Sequence, residues 1–126
     1  MTHTRTDAFS SKRTLYEAFR FIETFRELRP DMPMQTAAIL LLIAMKPGIG
    51  QRELLDLMDI SQAGVSRNVY ALLDTDRHGK PGLNFVSQRR QPSDGRNTEL
   101  HLTSEGHAFL HRLLVATHAE EETISA

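Results

Sequence analysis

The segment GQRELLDLMDISQAGVSRNVYALL, Gly50–Leu73, has the pattern of two short helices joined by a tight corner. Leu54, Leu57 and Met58 recur at helical spacing, so a first helix over Gln51–Asp59 is expected to bury one face. The glycine that opens the segment is expected to act as the N-cap of that helix.

The second helix of the segment is predicted over residues 62 to about 74, with Ser61 as its N-cap. Its apolar residues fall in one sector of the helical wheel and are expected to face inward: Val65, Val69, Leu72 and Leu73. The opposite, outward sector holds Ala63, Arg67, Tyr70 and Asp74, with Ser66 beside them. The residues of this helix predicted to contact DNA are Gln62, Ala63, Gly64, Ser66, Arg67 and Tyr70. Near the start of the helix the side chains of Ala63 and Gly64 are small and permit close approach, and Gln62, Ser66 and Arg67 carry hydrogen-bonding groups. This combination suits a helix that enters the major groove of DNA.

An ordinary packed helical hairpin with a solvated polar face explains this segment equally well. The distribution of charge adds a modest bias towards DNA. Residues 61–103 carry six Lys/Arg and four Asp/Glu, whereas residues 104–126 carry one and four, in a chain with a net charge of −1. Positive charge therefore lies around the second helix and the residues that follow it.

Composition limits the class of protein. A chain of 126 residues fits one domain. The absence of cysteine excludes disulfides and thiolate metal sites and suits a reducing compartment. The most apolar run, residues 37–45, is far shorter than the roughly 20 residues that span a bilayer. We expect a cytoplasmic protein without a membrane partner.

Two helices are predicted before the segment Gly50–Leu73. Residues 1–10 are unpatterned and expected to form a flexible tail, and residues 11–126 one domain. A helix over Ser11–Leu28 follows, then a break at RPDMP in which Asp31 or Met32 caps the next helix, Met34–Met45. The latter is apolar nearly all round and is expected to be central and buried.

After residue 73, the apolar residues change from helical spacing to the alternation that is typical of strands. A charged loop containing Arg77 and Lys80 leads to two predicted antiparallel strands, about 83–90 and 97–102. Thr103 is expected to cap a final helix from Ser104 to about Glu121. Its buried residues are predicted to be Phe109, Leu110, Leu113 and Thr117.

The first helix has an apolar stripe wider than one core face requires. This width indicates burial against a second chain, although a thick core face is the alternative. The residues assigned to a homodimer interface on the first and last helices are Leu15, Phe19, Phe21, Ile22, Phe25, Leu110 and Leu114.

A helix–turn–helix followed at once by a two-stranded hairpin is a winged helix, a mainly α fold with a small β-hairpin. At KPGIGQRELLDLMDISQAGVSRNVYALL (46–73) and DGRNTELHLTSEG (94–106) the chain resembles the MarR family of bacterial winged-helix regulators. The resemblance implies double-stranded DNA as partner, N- and C-terminal dimerisation helices, and repression at a palindromic operator. The same resemblance implies a protein associated with the nucleoid, of bacterial origin or encoded by a mobile element. It also implies that Asp94 braces the wing, Arg96 reaches the minor groove and Gly106 allows close packing. Arg77, Lys80, Arg89 and Arg90 complete the residues predicted to contact DNA.

The chain departs from the family pattern in three places. Residues 77–82 are an insertion before the wing, the C-terminal region has room for one long helix instead of two, and the first helix is brief. Members of the family often bind small aromatic acids between the dimerisation helices and the DNA-binding lobe. The helices that would line such a ligand site are reduced in this chain. A small-molecule effector is therefore not indicated by the residues, although it is possible.

Other functions find less support. His107, His111 and His118 lie on one side of the last helix and could grip zinc, but a half-buried interfacial stripe fits this spacing better, and we expect no metal or other cofactor. The sequence contains no H-E-x-x-H, G-x-S-x-G or glycine-rich phosphate loop, which argues against an enzyme. The alternative of another class is a winged helix that binds protein and lacks sequence-specific DNA binding.

Overall fold

The computed structural model describes the backbone of residues 4–91 and 94–118, and the side chains of residues 11–90 and 98–118. Over these residues the fold is mainly α with one antiparallel hairpin, as predicted. Its elements are α1 (Thr4–Leu28), α2 (Met34–Met45), α3 (Gln51–Met58), α4 (Gln62–Leu72), β1 (Val86–Gln91), β2 (Asp94–Leu102) and α5 (Ser104–Thr117). The chain forms two compact units, Met1–Asp31 with His111–Ala126, and Met32–Leu110.

The larger unit, Met32–Leu110, is built around α2, which packs against α3, α4 and β2. Because α2 is apolar on nearly every side, it can contribute to several contacts at once. The residues of this unit that are almost fully buried are Ile39, Leu40, Ile43, Ile49, Leu54, Val65, Val69, Leu72, Val86, Leu100 and Phe109. The predicted bounds of α2 are confirmed, but its N-cap is Pro33 rather than Asp31 or Met32, and no side chain caps it.

The helix–turn–helix forms where it was predicted. Gly50 is the N-cap of α3, and Ser61 is the N-cap of α4, with its Oγ accepting a hydrogen bond from the Gly64 N–H at 3.0 Å. The helix α3 ends one residue early because Asp59 adopts a left-handed conformation with φ of 53°. One prediction here is wrong: Leu57 is 57% exposed. It lies about 60° from Leu54, on the side away from Met58, and so falls outside the buried sector.

The wing is the hairpin of β1 and β2, and one residue from outside the hairpin, Ile49, also pairs with β2. Its register pairs Val86 with Leu102 and Arg90 with Thr98, and the pairing becomes irregular after Arg90. Ile49 forms an isolated bridge to Leu100 on the other edge of β2. The Leu100 N–H donates to the Ile49 carbonyl at 3.0 Å, and the Gly48 N–H donates to the Leu100 carbonyl at 2.9 Å. This bridge joins the residues just before α3 to the wing.

β1 begins at Val86, three residues later than predicted. The backbone N–H groups of residues 83, 84 and 85 instead donate to the carbonyls of Ala71, Leu73 and Leu72 at the end of α4. Those carbonyls have no partner within the helix, so the segment before the wing completes the helix terminus. β2 in turn begins at Asp94 rather than at 97, which extends this strand towards the turn of the hairpin.

Thr103 and Gly106 lock the start of α5 onto this segment. The Thr103 hydroxyl accepts from the Gly106 N–H at 3.0 Å, which confirms the predicted cap, and it donates to the Asn84 carbonyl at 2.7 Å. A Cβ on Gly106 would lie 2.2 Å from the Phe85 carbonyl oxygen. The close packing implied for this glycine is therefore present.

The smaller unit consists of α1 and the last part of α5. α1 begins at Thr4, seven residues before the predicted start, because no glycine or proline interrupts the chain there. The Phe21 and Phe25 rings lie 5.3 Å apart, and Phe25 is buried. α5 ends at Thr117, and the predicted extension to Glu121 falls on residues 119–121, outside those described.

Candidate nucleic-acid interface

The outward surface of α4 is free, as the sequence predicted. Gln62, Ala63 and Arg67 are exposed, and Tyr70 is 42% exposed. Gly64 and Ser66 are partly covered. The exposed start of the helix presents Gln62 and the small side chain of Ala63, followed by the long cationic side chain of Arg67. The Gly64 N–H is already bonded to the Ser61 side chain. This surface can enter a groove closely and donate hydrogen bonds to base edges or phosphates.

The inward face of α4 contains a polar residue that the apolar pattern missed. Asn68 is buried, and Thr36 of α2 is one of its hydrogen-bond partners. Sequence periodicity assigns a polar residue to the outside, and its partner lies 32 positions away. Leu73, predicted to face inward as part of the helix, is the C-cap and is only partly buried.

The loop between α4 and β1 is a closed turn held by one carboxylate. The Asp76 Oδ1 accepts from the N–H groups of His78 and Lys80, both at 2.9 Å, and Thr75 bridges Pro81. Donation from Lys80, and then from His78, lowers the pKa of Asp76 below the ordinary aspartate value. Arg77, His78 and Lys80 are all exposed on this turn.

The wing arginines differ in position. Arg89 and Arg90 are exposed, but successive residues of a strand point to opposite faces. Arg89 is paired with Glu99 in the register, whereas Arg90 is paired with neutral Thr98. The two arginines therefore point to opposite faces of the hairpin, and of the two, Arg90 is the one whose cross-strand neighbour carries no opposing charge. That both contact DNA stays a prediction. The side chains of Asp94 and Arg96 lie outside the described residues.

The residues predicted for dimerisation fall into two groups. Leu15, Phe19, Ile22 and Leu114 are exposed, and Phe21 is partly covered. Phe25 and Leu110 are instead buried within the chain, where they contribute to its core. Their assignment to a dimer surface is therefore corrected.

The three histidines of the last helical region are exposed in the single chain. His118 lies 3.2 Å from the Glu17 carboxylate, a neighbour that the sequence did not indicate. Over the side chains 11–90 and 98–118, no three or more His, Cys, Asp or Glu residues form a group that could hold a metal ion. Likewise, no helix within residues 4–91 and 94–118 has the length and apolar character needed to cross a membrane.

Solved structures share this fold over most of the chain. A transcriptional regulator from Thermotoga maritima matches with a TM-score of 0.72 at 16% identity, over 96% of this chain and 76% of its own. A MarR mutant from E. coli in complex with operator DNA matches with a TM-score of 0.60 at 15% identity, over 94% and 75%. The fold is that of the MarR regulators.

A MarR regulator from Methanosarcina mazei also shares it, with a TM-score of 0.57 at 16% identity over 87% of this chain and 69% of its own. No protein-family model and no curated protein sequence matches the chain. In this MarR-like winged helix, α3 and α4 are the helix–turn–helix, and β1 with β2 is the wing.

Proposed function

We propose that this chain is a sequence-specific regulator of transcription that binds double-stranded DNA as a homodimer. The observation that supports this proposal most directly is that one side of α4 is buried and the opposite side is exposed. One side is held in the core by Val65, Val69 and Leu72, while Gln62, Ala63 and Arg67 are exposed on the other. A protein of the same fold has been solved on operator DNA, and this helix is the part of the MarR-like fold with the shape and donors for base contacts.

The basic residues around α4 support the same proposal. Arg77 and Lys80 lie on the Asp76-held turn directly after the helix, and Arg90 lies on the wing. Cations that neutralise phosphates supply affinity that is independent of sequence and falls with salt. Exposed groups on α4 would then add the preference for particular bases, because the major groove distinguishes all four base pairs.

Dimerisation is proposed from the smaller unit. Leu15, Phe19 and Ile22 follow one another at spacings of four and three, which places them within about 60° on the α1 surface, and they are 69%, 53% and 46% exposed. Leu114 and Val115 add exposed apolar area on α5. Burial of this surface in a second copy is favourable at roughly 25 cal/mol per Å² of apolar area. Where the operator overlaps a promoter, a bound dimer blocks transcription, which is the repression proposed here.

The proposal is tested by selecting duplexes from a random-sequence pool with the purified chain and measuring affinity as a function of salt. We expect one enriched sequence, bound more tightly than random duplex, and an affinity for random duplex that falls steeply with salt. Absence of enrichment together with absence of salt-dependent retention would instead favour a winged helix that binds protein.

A further inference from the structure

Asn68 ties the first turn of α4 to the first turn of α2. Its side-chain oxygen accepts a hydrogen bond from the Thr36 hydroxyl at 2.6 Å, between residues that are 8% and 2% exposed. Its amide group donates to the Gly64 carbonyl at 2.8 Å and to the Gln35 side-chain oxygen at 3.3 Å. All three partners therefore lie within the opening turns of two helices that pack against each other.

At the end of α4, the backbone N–H groups of residues 83, 84 and 85 donate directional hydrogen bonds to its last carbonyls. Nearer its start, the other contacts with the core are made by apolar side chains such as Val65 and Val69, and apolar contacts are not directional. Apart from the bonds of Asn68, the first half of the helix therefore resists a small rotation about its axis only through packing. At the outer radius of about 5–6 Å, a rotation of about 20° moves a side chain by about 2 Å. Base contacts tolerate only about 0.5 Å. A directional bond to another helix removes this freedom.

We propose that Thr36 and Asn68 are positioning residues that set the rotation of α4 in the DNA groove, and so its discrimination between sequences. This inference rests on the proposed function, since it concerns how the same helix reads DNA. Asn68 directly follows Arg67 in the sequence. The side chain that is held by hydrogen bonds is therefore next to the side chain proposed to contact bases. Neither positioning residue contacts DNA, because both are buried within the chain.

A merely structural role predicts a different outcome. The net contribution of one buried hydrogen bond to stability is small, and replacing both partners by apolar groups of similar shape is nearly neutral. A Thr36→Val/Asn68→Leu double variant should therefore remain folded. It would lack the directional bond between α2 and α4, so only the positioning role predicts that its discrimination is impaired.

The test compares two duplexes at one salt concentration: the sequence enriched by the wild-type chain, and the same bases in shuffled order. For Thr36→Val and for the double variant, affinity for the enriched duplex should fall about fivefold to tenfold. Affinity for the shuffled duplex and its salt dependence should not change, since the phosphate contacts remain. Thr36→Ser keeps the hydroxyl and should restore discrimination although it loses a buried methyl group.

Thr24→Val is the matched control, because Thr24 is also buried but its hydroxyl donates to the Arg20 carbonyl within α1. Its discrimination ratio should equal that of the wild type. If Thr36→Val and the double variant also keep the wild-type ratio, or if Thr36→Ser loses it as fully as Thr36→Val, the positioning role is wrong while the proposed function stands. If the wild-type chain enriches no sequence, the proposed function is wrong and this inference falls with it.

Discussion

At the scale of single residues, Arg67 and Arg96 are expected to act differently on DNA. Arg67 is exposed beside the start of α4, where a guanidinium can reach base edges in the major groove. Arg96 belongs to the wing strand, and the minor groove presents nearly the same acceptors for A·T and T·A. The first should therefore read sequence, and the second should mainly supply affinity.

Arg67→Ala should cost about 1–3 kcal/mol and relax the base preference at one position in each half-site. Arg96→Ala should weaken binding to all sequences nearly alike, apart from a preference for a narrow A-rich groove. It should also lower the salt slope by about one unit for each phosphate that is no longer neutralised, or about two per dimer. Selection from a random pool with each variant measures both effects. If Arg67→Ala keeps the wild-type preference while Arg96→Ala scrambles it, the two roles are reversed.

Local pattern predicted the caps Gly50, Ser61 and Thr103, because a cap depends on residues three positions away. It failed at Leu57 and Asn68. Both are decided by contacts distant in the chain: the sector of α3 that faces its neighbours, and a threonine 32 positions before Asn68. The exposed face of α4 was predicted correctly since it needs only the helical period.

At the scale of elements, the turn after α4 depends on the charge of Asp76. Its carboxylate accepts from two backbone N–H groups, which lowers its pKa. For a carboxyl group of lowered pKa, the stabilisation is complete above the unfolded value of about 3.9 and is lost as the pH falls through the folded value. The amide proton shifts of His78 and Lys80 should titrate together, with a midpoint below about 3.9, in an NMR titration. A midpoint above that value, or the same titration in Asp76→Ala, would contradict this assignment.

Gly106 tests the junction between the wing and α5. Helix propensity alone predicts that Gly106→Ala stabilises the protein by about 0.5–1 kcal/mol. The added methyl group would instead collide with the Phe85 carbonyl, which is held in place by the Thr103 N–H at 2.9 Å. We therefore expect destabilisation of about 1–3 kcal/mol in a denaturant unfolding experiment. A more stable variant would show that the junction is loose.

Sequence patterns located each element within a few residues except at the start of α1, and both wing strands start three residues from their predicted positions. Residues 83–85 alternate like a strand, yet their N–H groups bond to the end of α4. Periodicity cannot reveal this, because it does not identify which backbone groups lack partners. The bridge between Ile49 and Leu100 was missed for the same reason.

At the scale of the whole molecule, the exposed apolar stripe of α1 predicts a dimer. Leu15→Glu should place a charge in that interface and shift the equilibrium strongly towards monomer in sedimentation experiments at micromolar concentration. Leu57→Glu is the matched control, since Leu57 is also an exposed helical leucine but lies on α3, outside the proposed interface. A wild-type chain that sediments only as a 14.3 kDa species would contradict the dimer.

The most direct test of sequence-specific recognition by a dimer is a footprint of the purified chain on genomic fragments that it selects. A symmetric dimer presents two copies of α4 about one turn of DNA apart, so we expect a two-fold symmetric protected site with half-sites centred about 10 bp apart. Protection of a strong asymmetric site by one chain, or no reproducible protection at any salt concentration, would contradict sequence-specific recognition by a dimer.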